Sequence, residues 1–336
     1  MVSRTQLIAD RRVILLFYQP FERDNLFRYD RYIKRVVRPL YNLTHRRQKQ
    51  SGFDVSFDLL KRALAKADWI VRVNDRALAR KNPEYPVGLV GFPHLLDGWD
   101  LPNPAILGPS LYDHPLLAPD LMKDARFHKY LVLAPWTYDL FQPVYGDACV
   151  RWYAGIDTDE WPDASGCPKD IDFLIYDKIR WDHDELAIEL LQPIQKILQG
   201  RGLLTHTIRY KFHDHSTYRR LLQRSRAMIF LCEHETQGLA YQEALASNVP
   251  VLAWDNGYWL DPLWKRFSAN KIPASSVPFF SGECGETFRD ISGFEAALLV
   301  FMNRLSSFKP RMYVIGKLSM RESAKKYSDQ YFSALT

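Results

Sequence analysis

From residue 172 onward the chain alternates short apolar runs with stretches of helical period, and that order leaves few folds open. "DFLIY", "AMIFLC" and "VPVLAW" are five or six residues long and almost wholly apolar, the pattern of strands buried on both faces of a parallel sheet. Beside them "DELAIELLQPIQKILQG" reads as a helix ended by Gly200, "LTHTIRY" as a strand, and "STYRRLLQRS" and "FEAALLVFMNRL" as helices. Parallel strands need crossover connections, and a strand-helix-strand order supplies them. The expectation is a doubly wound α/β domain with right-handed crossovers.

The first half is less regular. "RRVILLFY" (Arg11 to Tyr18) predicts a buried first strand, "FDLLKRALAKAD" a helix and "WIVRVN" a strand, while "VGLVGF", "AILG" and "YLVLA" follow as strands between proline-rich turns. Between Cys149 and Pro168 the text turns dense in Gly, Pro and Asp, as domain linkers do. A chain of 336 residues is long for one domain. The division expected is an N-terminal domain over 1–150, a linker over 151–168, a C-terminal domain over 169–310 and a closing helical segment over 311–336.

Charge is uneven. Residues 1–50 hold twelve Lys or Arg against four Asp or Glu, an excess of eight, whereas the whole chain carries +6, so the remainder is slightly acidic. Arg28, Arg31, Lys34, Arg35 and Arg38 fill one face of a predicted helix whose other face is Tyr29, Tyr32, Ile33, Val36, Val37 and Leu40. Such a face is most often solvated; as a binding surface it suits an anionic membrane or a phosphorylated acceptor. Its aromatics sit at core spacing and form no stacking platform, so nucleic acid is not expected. No apolar run nears the roughly 20 residues of a membrane span and the N-terminus lacks a signal-peptide pattern, so a cytoplasmic location, at most peripheral to the inner membrane face, is expected. The four cysteines are far apart and show neither zinc spacing nor a disulfide framework.

One stretch concentrates the chemistry: "CEHETQGLAYQEALASNVPVLAW", Cys232 to Trp254. The strand before it ends at a carboxylate, and ligands of open α/β sheets bind at that end of the strands. Gly238 lets another molecule approach the backbone, and a helix beginning near Gln237, capped by Thr236 or Glu235, turns its free amides and positive dipole end toward a phosphate. Glu235 and Glu243 stand eight positions apart, on the order of 12 Å if the whole stretch is helical. Asn248 suits a left-handed helix stop, and Pro250 forbids continuation. Two Glu at this spacing are common in solvated helix faces; the strand, glycine, asparagine and proline around them are what favour a site.

This pattern resembles the nucleotide-binding half of GT-B glycosyltransferases, in particular the large retaining family with two Glu separated by seven residues, the glycosyltransferase family 4-like group. That family reads approximately E-S-F-G-L-x-x-x-E-A-x-A-x-G-x-P-V where this chain has E-T-Q-G-L-A-Y-Q-E-A-L-A-S-N-V-P-V. "AGIDTDEWP" (Ala154 to Pro162) is similar to the family's interdomain N-G-V-D-x-x-x-F-x-P, and "YLVLAPWTYDLF" to the last strand and helix of its first domain. The resemblance implies two Rossmann-like domains facing across a cleft, an N-terminal acceptor domain and a C-terminal donor domain, with the last helix crossing back to the first. It implies that Glu243 binds the ribose, that Glu235 contacts the donor sugar, and that Gly238 and Leu239 turn their amides to the diphosphate, with Thr236 and Gln237 in the same donor loop. The reaction implied is transfer of a sugar from a UDP- or GDP-sugar, with retention and without a metal or other cofactor.

The family carries G-R and K-G after the first strand of the second domain; this chain has "IYDKIRWDHDE", and Lys178 and Arg180 are its nearest basic pair. His114, in "GPSLYDHP", falls close to the expected cleft, either touching sugar or setting turn geometry. Asp-x-Asp occurs at Asp157 and Asp159, Asp170 and Asp172, and Asp182 and Asp184, a frequency that argues against reading any of them as a metal site. His213 and His215 lack a third ligand nearby. Other classes compatible with the residues are a sugar-nucleotide epimerase or hydrolase and a binding module without turnover.

Overall fold

The computed structural model describes residues 12–20, 52–109 and 111–335. The basic stretch with Arg28, Arg31, Lys34, Arg35 and Arg38 lies outside them, as does the helix expected there. Two parallel sheets organise the rest. The first contains β1 (Val13–Gln19), β2 (Ile70–Val73), β3 (Val87–Gly91), β4 (Ala105–Leu107), β5 (Phe127–Val132) and β6 (Cys149–Arg151), in the order β2-β1-β3-β4-β5-β6. The second contains β7 (Ile171–Asp177), β8 (Thr205–Arg209), β9 (Ser225–Leu231), β10 (Val251–Trp254) and β11 (Gly285–Phe288), in the order β11-β10-β9-β7-β8.

The inner strands are apolar because both their faces are covered. Ile14, Leu15 and Leu16 of β1 and Met228, Ile229 and Phe230 of β9 expose no surface, each such side chain contributing roughly 1.5–3 kcal/mol relative to exposure. β6 and β11 were not legible as strands, being three and four residues long. Each forms because a neighbour offers a free ladder edge: β6 pairs with β5 and β11 with β10. The helix expected over 184–200 is broken into His183–Leu186, a π-helical turn Ala187–Leu191 and Gln192–Gly200. Pro193 explains the interruption, since it lacks the amide that would continue the ladder. Gly200 is still helical; the left-handed turn that ends the run is at Gly202 (φ +70°). Asn248 does take the left-handed conformation (φ +61°).

The closing helix Met320–Ser333 packs on the first sheet and on the helix Gly52–Lys66. Tyr331 Oη accepts from the Leu15 amide (2.9 Å) and donates to the Pro86 carbonyl. Trp152 Nε1 donates to the Ser323 carbonyl (3.0 Å). Among the described residues no helix is long and apolar enough to cross a membrane.

Candidate active site

β9 carries its residues to the carboxyl edge of the second sheet, and seven residues, Cys232 to Gly238, intervene before the helix Leu239–Ala246. The helix therefore starts two residues later than Gln237, and no side chain caps it, neither Thr236 nor Glu235. Gly238 stands at its N-cap in the left-handed conformation (φ +82°), and a Cβ there would overlap the Tyr241 ring. The first-turn amides thus have no side-chain acceptor, at the positive end of the helix. Gln237 is committed elsewhere, since its Oε1 accepts from the Ala154 amide (2.8 Å) and its Nε2 donates to the Ala154 carbonyl (2.6 Å) and to Gln242 Oε1 (3.0 Å). Its side chain holds the loop Cys232 to Gly238 against Ala154, while Thr236 is exposed on the cavity wall.

Only Leu239 to Glu243 is helical within the two-glutamate spacing, about 6 Å of rise, so the 12 Å estimate for a continuous helix does not apply. Glu243 is 6% exposed, and its carboxyl makes no hydrogen bond among the described residues; His215 Nε2 stands 3.9 Å away. Burial, with Glu160 adding to it, pushes the Glu243 pKa up to about 8 against the pull of Lys178 and Arg219.

The loop leaving β7 supplies the cations. Lys178 donates its ammonium to Glu235 Oε1 and lies 4.7 Å from the Tyr210 ring centre. Burial opposes its charge, but Glu235 and its neighbours outweigh burial and hold the ammonium above the ordinary lysine value. Arg180 donates from Nη2 to the His234 carbonyl (2.5 Å) and from Nε to Glu233 (3.4 Å). Glu233, 1% exposed, also accepts from the amides of Arg180 (2.6 Å) and Trp181 (3.0 Å). Sequence reasoning passed over Glu233, although a carboxylate placed directly after a buried strand was the available signal. The structure thus joins Lys178, Arg180 and Glu235 in one cluster.

Between the sheets lies a cavity of about 210 Å³ at the carboxyl ends of β5, β7 and β9, lined by Glu235 and Thr236, by Asp113, Asp261 and Arg180, and by aromatic side chains. Trp136 crosses from the first half to donate its Nε1 to the Glu235 carbonyl (2.8 Å). His234 lies parallel to Trp181 (5.3 Å, 11°), and burial, then the charges of Arg180 and Lys178, pushes its pKa down to about 2. Asp113, at the mouth, is held above the usual carboxylate range by its recessed position and by Asp261, with Arg266 opposing. His114 does not line the cavity. It stacks on Phe267 (4.2 Å, 3°), and its Nδ1 accepts from the Leu116 amide (3.2 Å), the turn-setting alternative of the two weighed for it.

The repeated Asp-x-Asp patterns have partners of their own. Asp157 pairs with Arg62 and Lys66, Asp170 with Arg224 and Asp172 with Arg226, while Asp182 precedes a helix and Asp184 is open to solvent. His213 Nε2 meets the Tyr176 hydroxyl (3.2 Å). Among the described residues no group of three His, Cys, Asp or Glu is placed as metal ligands would be.

The chain matches no protein-family model and no curated protein. It is similar to solved structures. AviGT4, a glycosyltransferase involved in avilamycin A biosynthesis, aligns with a TM-score of 0.52 at 14% identity, over 85% of this chain and 90% of that one. Sucrose-phosphate synthase from Thermosynechococcus elongatus aligns at 0.52 and 12% identity, over 84% and 93%. TarM aligns at 0.50 and 13% identity over 81% of this chain, which spans 58% of TarM. At such identities the likeness is one of fold: the protein has the GT-B architecture, two Rossmann-like α/β domains with a cleft between them.

Proposed function

We propose that the protein is a glycosyltransferase that moves a sugar from a nucleoside-diphosphate sugar, a UDP- or GDP-sugar, to an acceptor. The observation that carries this reading is the arrangement along the carboxyl edge of the second sheet. A buried carboxyl without a hydrogen bond (Glu243), an uncapped helix N-terminus at Gly238 and Leu239, and the Lys178 and Glu235 pair follow one another there. Those groups match, in order, a ribose diol, a diphosphate and a hexose. The Glu243 carboxyl accepts from hydroxyls, the amides and Lys178 and Arg180 take up the charge of the departing diphosphate, and Glu235 meets the sugar. Two cations and a helix end provide that charge without a metal. The GT-B fold, shared with a glycosyltransferase and a sucrose-phosphate synthase, supports the assignment.

Retention comes with the family resemblance: the leaving diphosphate accepts the acceptor's proton on the face from which it departs, so no side-chain base is required. The donor and acceptor roles of the two domains belong to the same reading, as does a cytoplasmic site of action with the Arg28 to Arg38 stretch meeting an anionic surface. Thermal stability of wild type and Glu243→Ala with UDP-, GDP-, ADP- and dTDP-sugars tests it. A ligand at a hundred times its Kd adds about 2.7 kcal/mol; a shift with one nucleotide class, lost in the variant, is expected. No shift with any nucleotide would overturn the donor site, and a shift without transfer to any acceptor would make the protein a binding module.

A further inference from the structure

We propose that the aromatic cavity between the two sheets is the acceptor subsite and that it takes an uncharged saccharide ring; the acceptor role rests on the glycosyltransferase reading above. Size is the first constraint. About 210 Å³ is the room of roughly seven waters at about 30 Å³ each, enough for one sugar ring. The walls are the second. Trp136, Trp181 and Trp259 reach the cavity from three separate segments, Trp136 and Trp259 with ring centres 5.8 Å apart and planes inclined by 48°. A pyranose has apolar C–H faces and a polar rim, and flat indoles bury the former while leaving the latter to be hydrogen-bonded.

Polar groups for the rim are present and unspent. The Asp113 carboxylate makes no hydrogen bond among the described residues, and Asp261 uses one oxygen on the Leu263 amide (2.8 Å). They come from different halves of the molecule to the same cavity. His234 is 6% exposed, with no ring nitrogen hydrogen-bonded among the described residues, and since its Nδ1 is buried its neutral imidazole can meet the cavity only through Nε2. An alkyl chain would leave the buried His234 ring without partners and would strip water from the two carboxylates without replacing it. A phosphate here would meet both carboxylates, Asp113 and Asp261, and be repelled by them. Hydroxyls suit every one of these groups. Any phosphate on the acceptor must therefore lie outside this cavity.

Glu235 and Thr236 border the cavity on the donor side, so a hydroxyl of the enclosed ring lies beside the donor's anomeric carbon. Its oxygen bonds to that carbon, the bond from the carbon to the diphosphate oxygen breaks, and the hydroxyl proton leaves on the diphosphate. The test titrates methyl glucoside, methyl mannoside, methyl galactoside and N-acetylglucosamine into wild type, with and without saturating UDP or GDP, read by tryptophan fluorescence and saturation-transfer NMR. At least one should bind saturably and perturb tryptophan emission, its 6-phosphate should bind at least tenfold more weakly, and Asp113→Asn and Asp261→Asn should each weaken it about tenfold. Absence of binding by every neutral sugar while nucleotide still stabilises the protein would overturn this proposal and leave the donor site standing. So would preference for the 6-phosphate, or binding indifferent to both Asn variants. Sugar binding in a protein that no nucleotide stabilises would remove the acceptor role along with the glycosyltransferase reading.

Discussion

Buried as an acid, Glu243 lowers the stability of the unliganded protein. An unfolded chain releases a glutamate proton near pH 4.3, while folded Glu243 keeps its proton to about pH 8. Between those values the native state binds more protons than the unfolded one, so stability falls as pH rises and levels off above about 8. Glu243→Gln removes this titration. Relative to wild type it should gain roughly 2 to 4 kcal/mol between about pH 5 and pH 8.5. Urea denaturation across that range measures it, and parallel profiles for the two proteins would show that Glu243 is not the buried acid described. Its proposed place in the site was legible from strand, glycine and spacing together. The anchoring Glu233, two positions before Glu235, offered only its place after a buried strand, because its role depends on the loop leaving β7, more than fifty residues earlier in the chain.

At the scale of the element, the helix Leu239–Ala246 depends on its entry. Gly238 alone permits the left-handed backbone beside the Tyr241 ring, and Gln237 fixes the approach through Ala154. In Gly238→Ala the backbone conformation is strained and the new methyl collides with Tyr241, a cost of roughly 1 to 3 kcal/mol. The helix start must shift, and its amides with it, so nucleotide affinity should fall at least tenfold. Urea denaturation and nucleotide titration of the same variant check both effects; an alanine protein that keeps wild-type affinity would mean the amides of this turn do not hold the diphosphate. The sequence implied a glycine with a function here but put the helix start too early, since propensity alone does not reveal a left-handed N-cap.

Across the whole molecule, the two halves are tied by the return of the closing helix and by the linker. Arg62 and Lys66 of the first half hold Asp157 and its neighbours, and Arg311 donates to the carbonyls of Thr158 (3.1 Å), Trp161 (2.6 Å) and Ala246. Tyr331 joins the closing helix to β1 and to the chain entering β3. Tyr331→Phe leaves the buried Leu15 amide and Pro86 carbonyl without that hydroxyl and should cost about 1–3 kcal/mol. The loss should appear in denaturant unfolding, with stabilisation by nucleotide unchanged. A variant as stable as wild type would show that this contact adds nothing to the attachment.

The sequence by itself determined the parallel sheet of the second half, the strand that carries Glu235, the glycine at the turn and the helix that buries Glu243. These are local: apolar runs, periodicity and backbone permission act within a few residues. The tertiary structure alone decided that β6 and β11 are strands, that Gln237 serves the linker, that His114 stacks on Phe267, and that Trp136 reaches Glu235 across 99 positions to close an aromatic cavity. Short strands need a neighbour's free edge, and a cavity wall needs segments that only folding brings together, so neither leaves a pattern in the residues next to it.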